Sequence, residues 1–139
     1  MIFSELRKLD KKLRLMHYKS LFGRIKEKAG SLSATEAYSA DVINLLEKPT
    51  IKEFADCLGI SQPNATYKVA SLIEKGYITK EISSADRREW QLSMSEKFFG
   101  YFDTEDKSIK SAVEKLKREF TEEELNVFGR MLKALNTAL

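Results

Sequence analysis

The hexapeptide Leu58-Gly59-Ile60-Ser61-Gln62-Pro63 restricts this chain more than any other stretch, because it makes one helix end and another begin within three residues. Gly59 reaches the left-handed backbone conformation without steric cost, which stops the incoming helix and turns the chain. Ser61 is a preferred N-cap, and Pro63 suits a first turn, where a backbone N–H has no intrahelical partner to lose. Upstream, Thr50 and Glu53 have the spacing of a reciprocal capping box, with Pro49 and Phe54 placed as its apolar staple, so the incoming helix starts at Thr50. Downstream, Ala65, Val69, Leu72 and Ile73 form a single apolar stripe, and Lys75-Gly76 ends the second helix. Two helices joined by so short a Gly-containing turn make a helix-turn-helix.

The opposite face of the second helix carries Gln62, Asn64, Thr66, Tyr67, Lys68 and Ser71. An ordinary solvated face is richer in Glu and Lys. Amides and hydroxyls of this length can reach base edges and phosphates when a helix lies in a major groove, with Ser61 capping the turn that enters first. Tyr77–Ile82 and Glu89–Met94 then alternate as two short antiparallel strands. They project the loop Ser83–Arg88, in which the adjacent Arg87 and Arg88 form a wing tip suited to the phosphate backbone and neighbouring minor groove.

Taken together and in this order, Leu58–Pro63, Ile73-Glu-Lys-Gly76-Tyr-Ile78 and Asp86-Arg87-Arg88 resemble the winged-helix core of the multiple-antibiotic-resistance regulator (MarR) family. With the flanking helices, the resemblance covers nearly the whole chain. It implies a homodimeric bacterial repressor or activator of transcription, repressor being the expected sign, that binds double-stranded DNA and whose affinity a small ligand or oxidant changes. In the family's wing pattern, Asp86 orients Arg88, the arginine that touches DNA. The chain departs from the family at Lys80, where arginine is common, and at Phe98, where glycine is common.

The segments on either side are helical. Leu6, Leu9, Leu13 and Met16, continued by Tyr18, Phe22 and Ile25, predict a long amphipathic helix over residues 3–28. A capping box at Ser33 and Glu36 opens a helix through Leu46, and Glu47-Lys48-Pro49 closes it. After the wing, Ser95 is placed to cap a helix stapled by Met94 and Phe99. A third capping box, Thr121 with Glu124, starts a last helix at Glu122 that carries Leu125, Phe128, Leu132, Leu135 and Leu139. Apolar stripes at both chain ends exceed what one winged domain covers and predict an intertwined twofold dimer, which places two recognition helices on an inverted repeat. The expected organisation is an N-terminal dimerisation helix over 1–32, a winged helix-turn-helix over 33–94 and C-terminal dimerisation helices over 95–139. The fold class is mainly α with a two-stranded wing.

Charge bounds the function without deciding it. The net charge is +3, residues 1–30 hold nine basic and three acidic groups, and residues 50–94 hold six of each. The basic face of the first helix, with Arg7, Lys8, Lys11, Lys12 and Arg14, is a solvated dimer-side face or a contact to DNA flanks or an acidic partner. The neutral balance of 50–94 keeps a second reading open, a winged helix used as a protein-interaction or assembly module without specific DNA binding. The lone cysteine and the lack of an apolar run near ~18 residues point to a cytoplasmic protein with no membrane partner.

The chain shows no catalytic constellation, no metal-ligand spacing and no cofactor motif, so it is not expected to be an enzyme. His17 reads as a partly buried or hydrogen-bonded helix residue. Cys57 reads as a packing residue, with oxidant sensing the sharper alternative. Phe98, Phe99, Tyr101 and Phe102 either line a pocket for a small apolar or aromatic effector or pack a dimer core.

Overall fold

A computed structural model of the protein describes the backbone of residues 1–22, 32–82 and 89–139, and their side chains except over 99–105. Among the described residues six helices and one hairpin follow in the order α1 (Ile2–Phe22), α2 (Ala34–Leu45), α3 (Ile51–Leu58), α4 (Gln62–Glu74), β1 (Ile78–Ile82), β2 (Trp90–Met94), α5 (Glu96–Glu119) and α6 (Glu122–Ala138). The chain divides into two compact units, Met1–Asp103 and Thr104–Leu139.

All three predicted capping boxes form. Ser33, Thr50 and Thr121 each accept the backbone N–H of the residue three positions on, and Glu36, Glu53 and Glu124 reach back to the cap N–H. Each cap satisfies two N–H groups that a helix start otherwise leaves unpaired, and is worth about 1 kcal/mol. α1 is described to Phe22, and the rest of the helix expected to residue 28 lies outside the described residues.

In the first unit the core is built from Leu21 of α1, Ala37, Ala40 and Ile43 of α2, Phe54 of α3, Ala65, Val69 and Leu72 of α4, Ile78 and Leu92 of the hairpin, and Phe98 of α5. Burying side chains such as Phe54, Ile43 and Leu72 stabilises by about 1.5–3 kcal/mol each. β1 and β2 pair antiparallel, from Ile78 opposite Met94 to Ile82 opposite Trp90. A bridge from Gln91 to Thr50, and the Leu92 N–H donating to the Pro49 carbonyl at 2.8 Å, tie the hairpin root to the start of α3. The helix-turn-helix and the hairpin therefore share one base.

α2 closes at Glu47-Lys48-Pro49 as expected, without a glycine: Glu47 and Lys48 adopt positive φ of 53° and 58°. A side chain there costs roughly 1–2 kcal/mol per residue. Two other details differ from expectation. Cys57, expected to pack, is exposed, because the eight-residue α3 turns only its Phe54/Ala55 face inward. The Ser95 hydroxyl donates to the Gly76 carbonyl at 2.6 Å, joining the start of α5 to the end of α4. The staple expected from Phe99 falls on a side chain outside the described residues.

In the second unit, α6 begins at Glu122 with three glutamates in its first turn, where the helix dipole favours negative charge. No residue of α6 is buried. Phe128, Met131, Leu132 and Leu135 are exposed, and an open groove of about 680 Å³ runs between α5 and α6 over Leu116, Phe120, Leu125, Phe128 and Met131.

Candidate nucleic-acid interface

Gly59 closes α3 in the left-handed region at φ 66°, and the Ile60 N–H returns to the Ala55 carbonyl at 3.1 Å. Ile60 packs against the core, which fixes the direction in which the chain leaves the turn. Ser61 then caps α4, its hydroxyl accepting the Asn64 N–H at 3.3 Å, with Pro63 in the first turn. Because Ala65, Val69 and Leu72 are wholly buried, the helical period turns Gln62, Asn64, Thr66 and Tyr67 outward. Tyr67 is 78% exposed. Lys68 lies half-buried at the flank.

The chemistry of this turn is open to a ligand. Among the described residues the amides of Gln62 and Asn64 have no side-chain hydrogen bond, so four polar atoms face solvent with their donor and acceptor capacity unspent. Thr66 differs: its hydroxyl donates to the Gln62 carbonyl at 2.9 Å, which leaves its methyl as the group offered outward. Ser71, grouped with these residues by the sequence reading, does not share their face. Its hydroxyl donates inward to Glu36 of α2 at 3.0 Å, because it lies on the flank of the helix that borders α2.

The end of α4 is held from two sides. Glu36 pairs with Lys75 at 2.8 Å, a partly buried ion pair 39 residues apart in sequence. Burial alone would raise the Glu36 carboxyl, but hydrogen bonds from Lys75, from the Ser33 N–H and hydroxyl and from Ser71 outweigh it and hold the pKa at about 2. From the other side, the Lys97 ammonium donates to the Lys75 carbonyl at 2.9 Å and lies 4.5 Å from the centre of the Tyr77 ring. A cation there also complements the negative end of the α4 dipole.

The wing-tip residues Asp86, Arg87 and Arg88 lie outside the described residues, and so do the side chains of Phe99, Tyr101 and Phe102. Phe98, grouped with those aromatics, is 1% exposed and belongs to the core of the first unit. His17 is hydrogen-bonded, as expected of it: its Nε2 lies 3.0 Å from a carboxylate oxygen of buried Asp41, which joins α1 to α2. Sequence reasoning missed Asp41 and Lys75 as partners because nothing local marks contacts between distant segments.

A capped three-residue turn between α3 and α4, an outward polar first turn on the second helix and a hairpin rooted on the first define a winged helix-turn-helix protein. Residues 32–89 match the sequence pattern of the MarR family. The fold is that of its transcriptional regulators. A crystal structure of Streptococcus pneumoniae FabT in complex with DNA is similar, at 25% identity and TM-score 0.51 over 95% of each chain. A MarR-like transcriptional regulator from Thermotoga maritima is also 25% identical, at TM-score 0.51 over 97% of this chain and 94% of the other. A MarR family protein from Bacillus stearothermophilus shares the fold at TM-score 0.60, with 14% identity over 99% and 91% of the two chains. No curated protein gives a significant match to the sequence. Among the described residues no helix is long and apolar enough to cross a membrane.

Proposed function

We propose that the protein is a dimeric DNA-binding regulator of transcription, acting as a repressor, that reads an inverted repeat with α4 and the wing loop 83–88. The observation that carries this reading is the first turn of α4, where Gln62 and Asn64 present unspent amides on a convex, outward helix face. Amides of this kind pair in bidentate fashion with adenine N6 and N7 in the major groove. The DNA complex of FabT supports the same use of the fold. In this reading Ser61, Gln62, Asn64, Thr66 and Tyr67 meet bases, and Lys68, Arg87 and Arg88 meet phosphates, with Asp86 orienting Arg88.

A second copy is the proposed cover for the apolar surface of α1 and α6. Ile2, Phe3, Leu9 and Leu15 of α1 and Phe128, Met131 and Leu135 of α6 are exposed in one chain, more apolar surface than a soluble monomer ordinarily leaves open. A dimer covering an inverted repeat represses by occupying DNA that other proteins need. Modulation by a small apolar effector is proposed for the start of α5, through Phe99, Tyr101 and Phe102.

Selection of bound fragments from random duplexes, followed by affinity measured against salt, tests the reading. A regulator selects an inverted repeat and loses affinity steeply with salt as phosphates are neutralised. The equal numbers of basic and acidic groups in residues 50–94 favour a protein-interaction module instead, and the absence of any enriched sequence or salt dependence would establish that alternative.

A further inference from the structure

The apolar face of α4 decides which side of the helix turns outward, but small rolls and tilts are left to directional contacts, because hydrophobic contact is itself not directional. Among the described residues, one side chain of α2 makes two directional contacts to α4. Oε2 of Glu36 accepts the Ser71 hydroxyl at 3.0 Å and Oε1 accepts the Lys75 ammonium at 2.8 Å. Ser71 and Lys75 are four residues apart, hence one above the other on the same face, and two such anchors oppose both rolling and tilting. The carboxylate is itself pinned, since Oε1 also takes the Ser33 N–H of the α2 cap at 3.1 Å. The α2 frame is joined to α1 through the His17–Asp41 contact.

We propose that Glu36 is a positioning residue for α4: a single carboxylate shared between the cap of α2 and the Ser71/Lys75 face sets the angle at which Gln62 and Asn64 are presented. The leverage is large. α4 spans 13 residues, so a tilt of about 5° about its far end moves its first turn by about 1.7 Å. Hydrogen bonds to base edges tolerate only a few tenths of an ångström, whereas contacts to phosphate by long, flexible side chains accommodate such a shift. Glu36 therefore governs sequence discrimination far more than overall DNA affinity. This consequence rests on the reading of α4 as the recognition helix, while the geometric claim does not.

The test uses the full chain with Glu36→Gln, which keeps size and an acceptor for the Ser33 N–H, and Ser71→Ala with Lys75→Met, which leaves the α2 cap untouched if Glu36→Gln folds poorly. Backbone N–H residual dipolar couplings report the orientation of α4 relative to α2 and α3. In either variant the α4 couplings should cease to fit the wild-type orientation, while those of α2 and α3 still fit. Preference for a selected operator over random duplex should fall about tenfold, as expected when one base contact is misplaced, with affinity for random duplex changed less than about twofold. Adding Glu36→Gln to the Ser71/Lys75 variant should have little further effect. Couplings of α4 that are unchanged in both variants overturn the proposal, and so does a reoriented α4 with full discrimination. If the wild-type protein prefers no sequence, the regulator reading fails, and the dipolar couplings still decide whether Glu36 positions the helix.

Discussion

Acid titration of stability isolates the energy held in the Glu36 cluster. The carboxyl is lowered from its ordinary 4.5 to about 2, burial being outweighed by the hydrogen bonds of Lys75, Ser33 and Ser71. A folded-state pKa below the unfolded value means that the unfolded chain binds more protons between the two, so stability rises with pH through that window. The contribution is fully present above about pH 4.5 and is lost as pH falls through about 2. The difference corresponds to ~3 kcal/mol, which the partial exposure of the pair, with side chains 17% and 27% accessible, reduces to about 2 kcal/mol. Urea unfolding followed by circular dichroism, at fixed protein concentration from pH 7 to pH 2, should show wild type more stable than Glu36→Gln by about 2 kcal/mol at neutral pH. The gap should hold to about pH 4.5 and close towards pH 2. A gap that is constant across this range, or absent at pH 7, refutes the assignment of the stabilisation to an ionised Glu36.

The remaining expectations concern recognition, backbone and assembly. Gln62→Ala or Asn64→Ala should flatten preference at particular operator positions by ~1–3 kcal/mol, whereas Lys68→Ala should weaken all duplexes about equally; competition binding on operator variants separates the two, and unaltered base preference in both amide variants counts against the interface. Because the Thr66 hydroxyl is spent on the Gln62 carbonyl, Thr66→Val should keep any thymine preference that Thr66→Ser loses, and replacing thymine by uracil should abolish the difference. Gly59→Ala should cost about 1 kcal/mol in urea unfolding purely through its positive φ, since an added Cβ meets nothing within 4 Å. Met131→Glu on the exposed face of α6 should shift sedimentation at micromolar concentration towards monomer, and an unshifted dimer would move the interface elsewhere.

Element boundaries were legible wherever the chain carries its own punctuation. Thr50/Glu53, Gly59 and Ser61 fix α3, the turn and α4 to within a residue, because caps and left-handed turns are decided by neighbours three or four positions away. The outward turn of Gln62, Asn64, Thr66 and Tyr67 follows from the same helical period that buries Val69 and Leu72. What could not be read is tertiary. Glu36 is fully explained locally by its cap, so its second role towards Ser71 and Lys75, 35 and 39 positions away, leaves no trace in the sequence. Cys57 was misplaced because the eight-residue α3 buries only a narrow face at Phe54 and Ala55, which nothing next to Cys57 in the sequence marks. The close of α2 at Glu47–Lys48 was legible but its left-handed backbone was not, because neither residue type favours that region.

The hairpin register has an optical consequence. Ile78, Leu92 and Met94 turn one face of the hairpin into the core, and the same face continues past the core edge to the paired Ile82 and Trp90, the latter 49% exposed. Trp90 is the only tryptophan in the chain. Its indole sits at the root of the wing, half in water and remote in sequence from the capped helices, so emission from the native protein should already be shifted towards that of a solvated ring. Intrinsic fluorescence is therefore a poor witness to unfolding here and a sensitive one to whatever comes to rest against the wing.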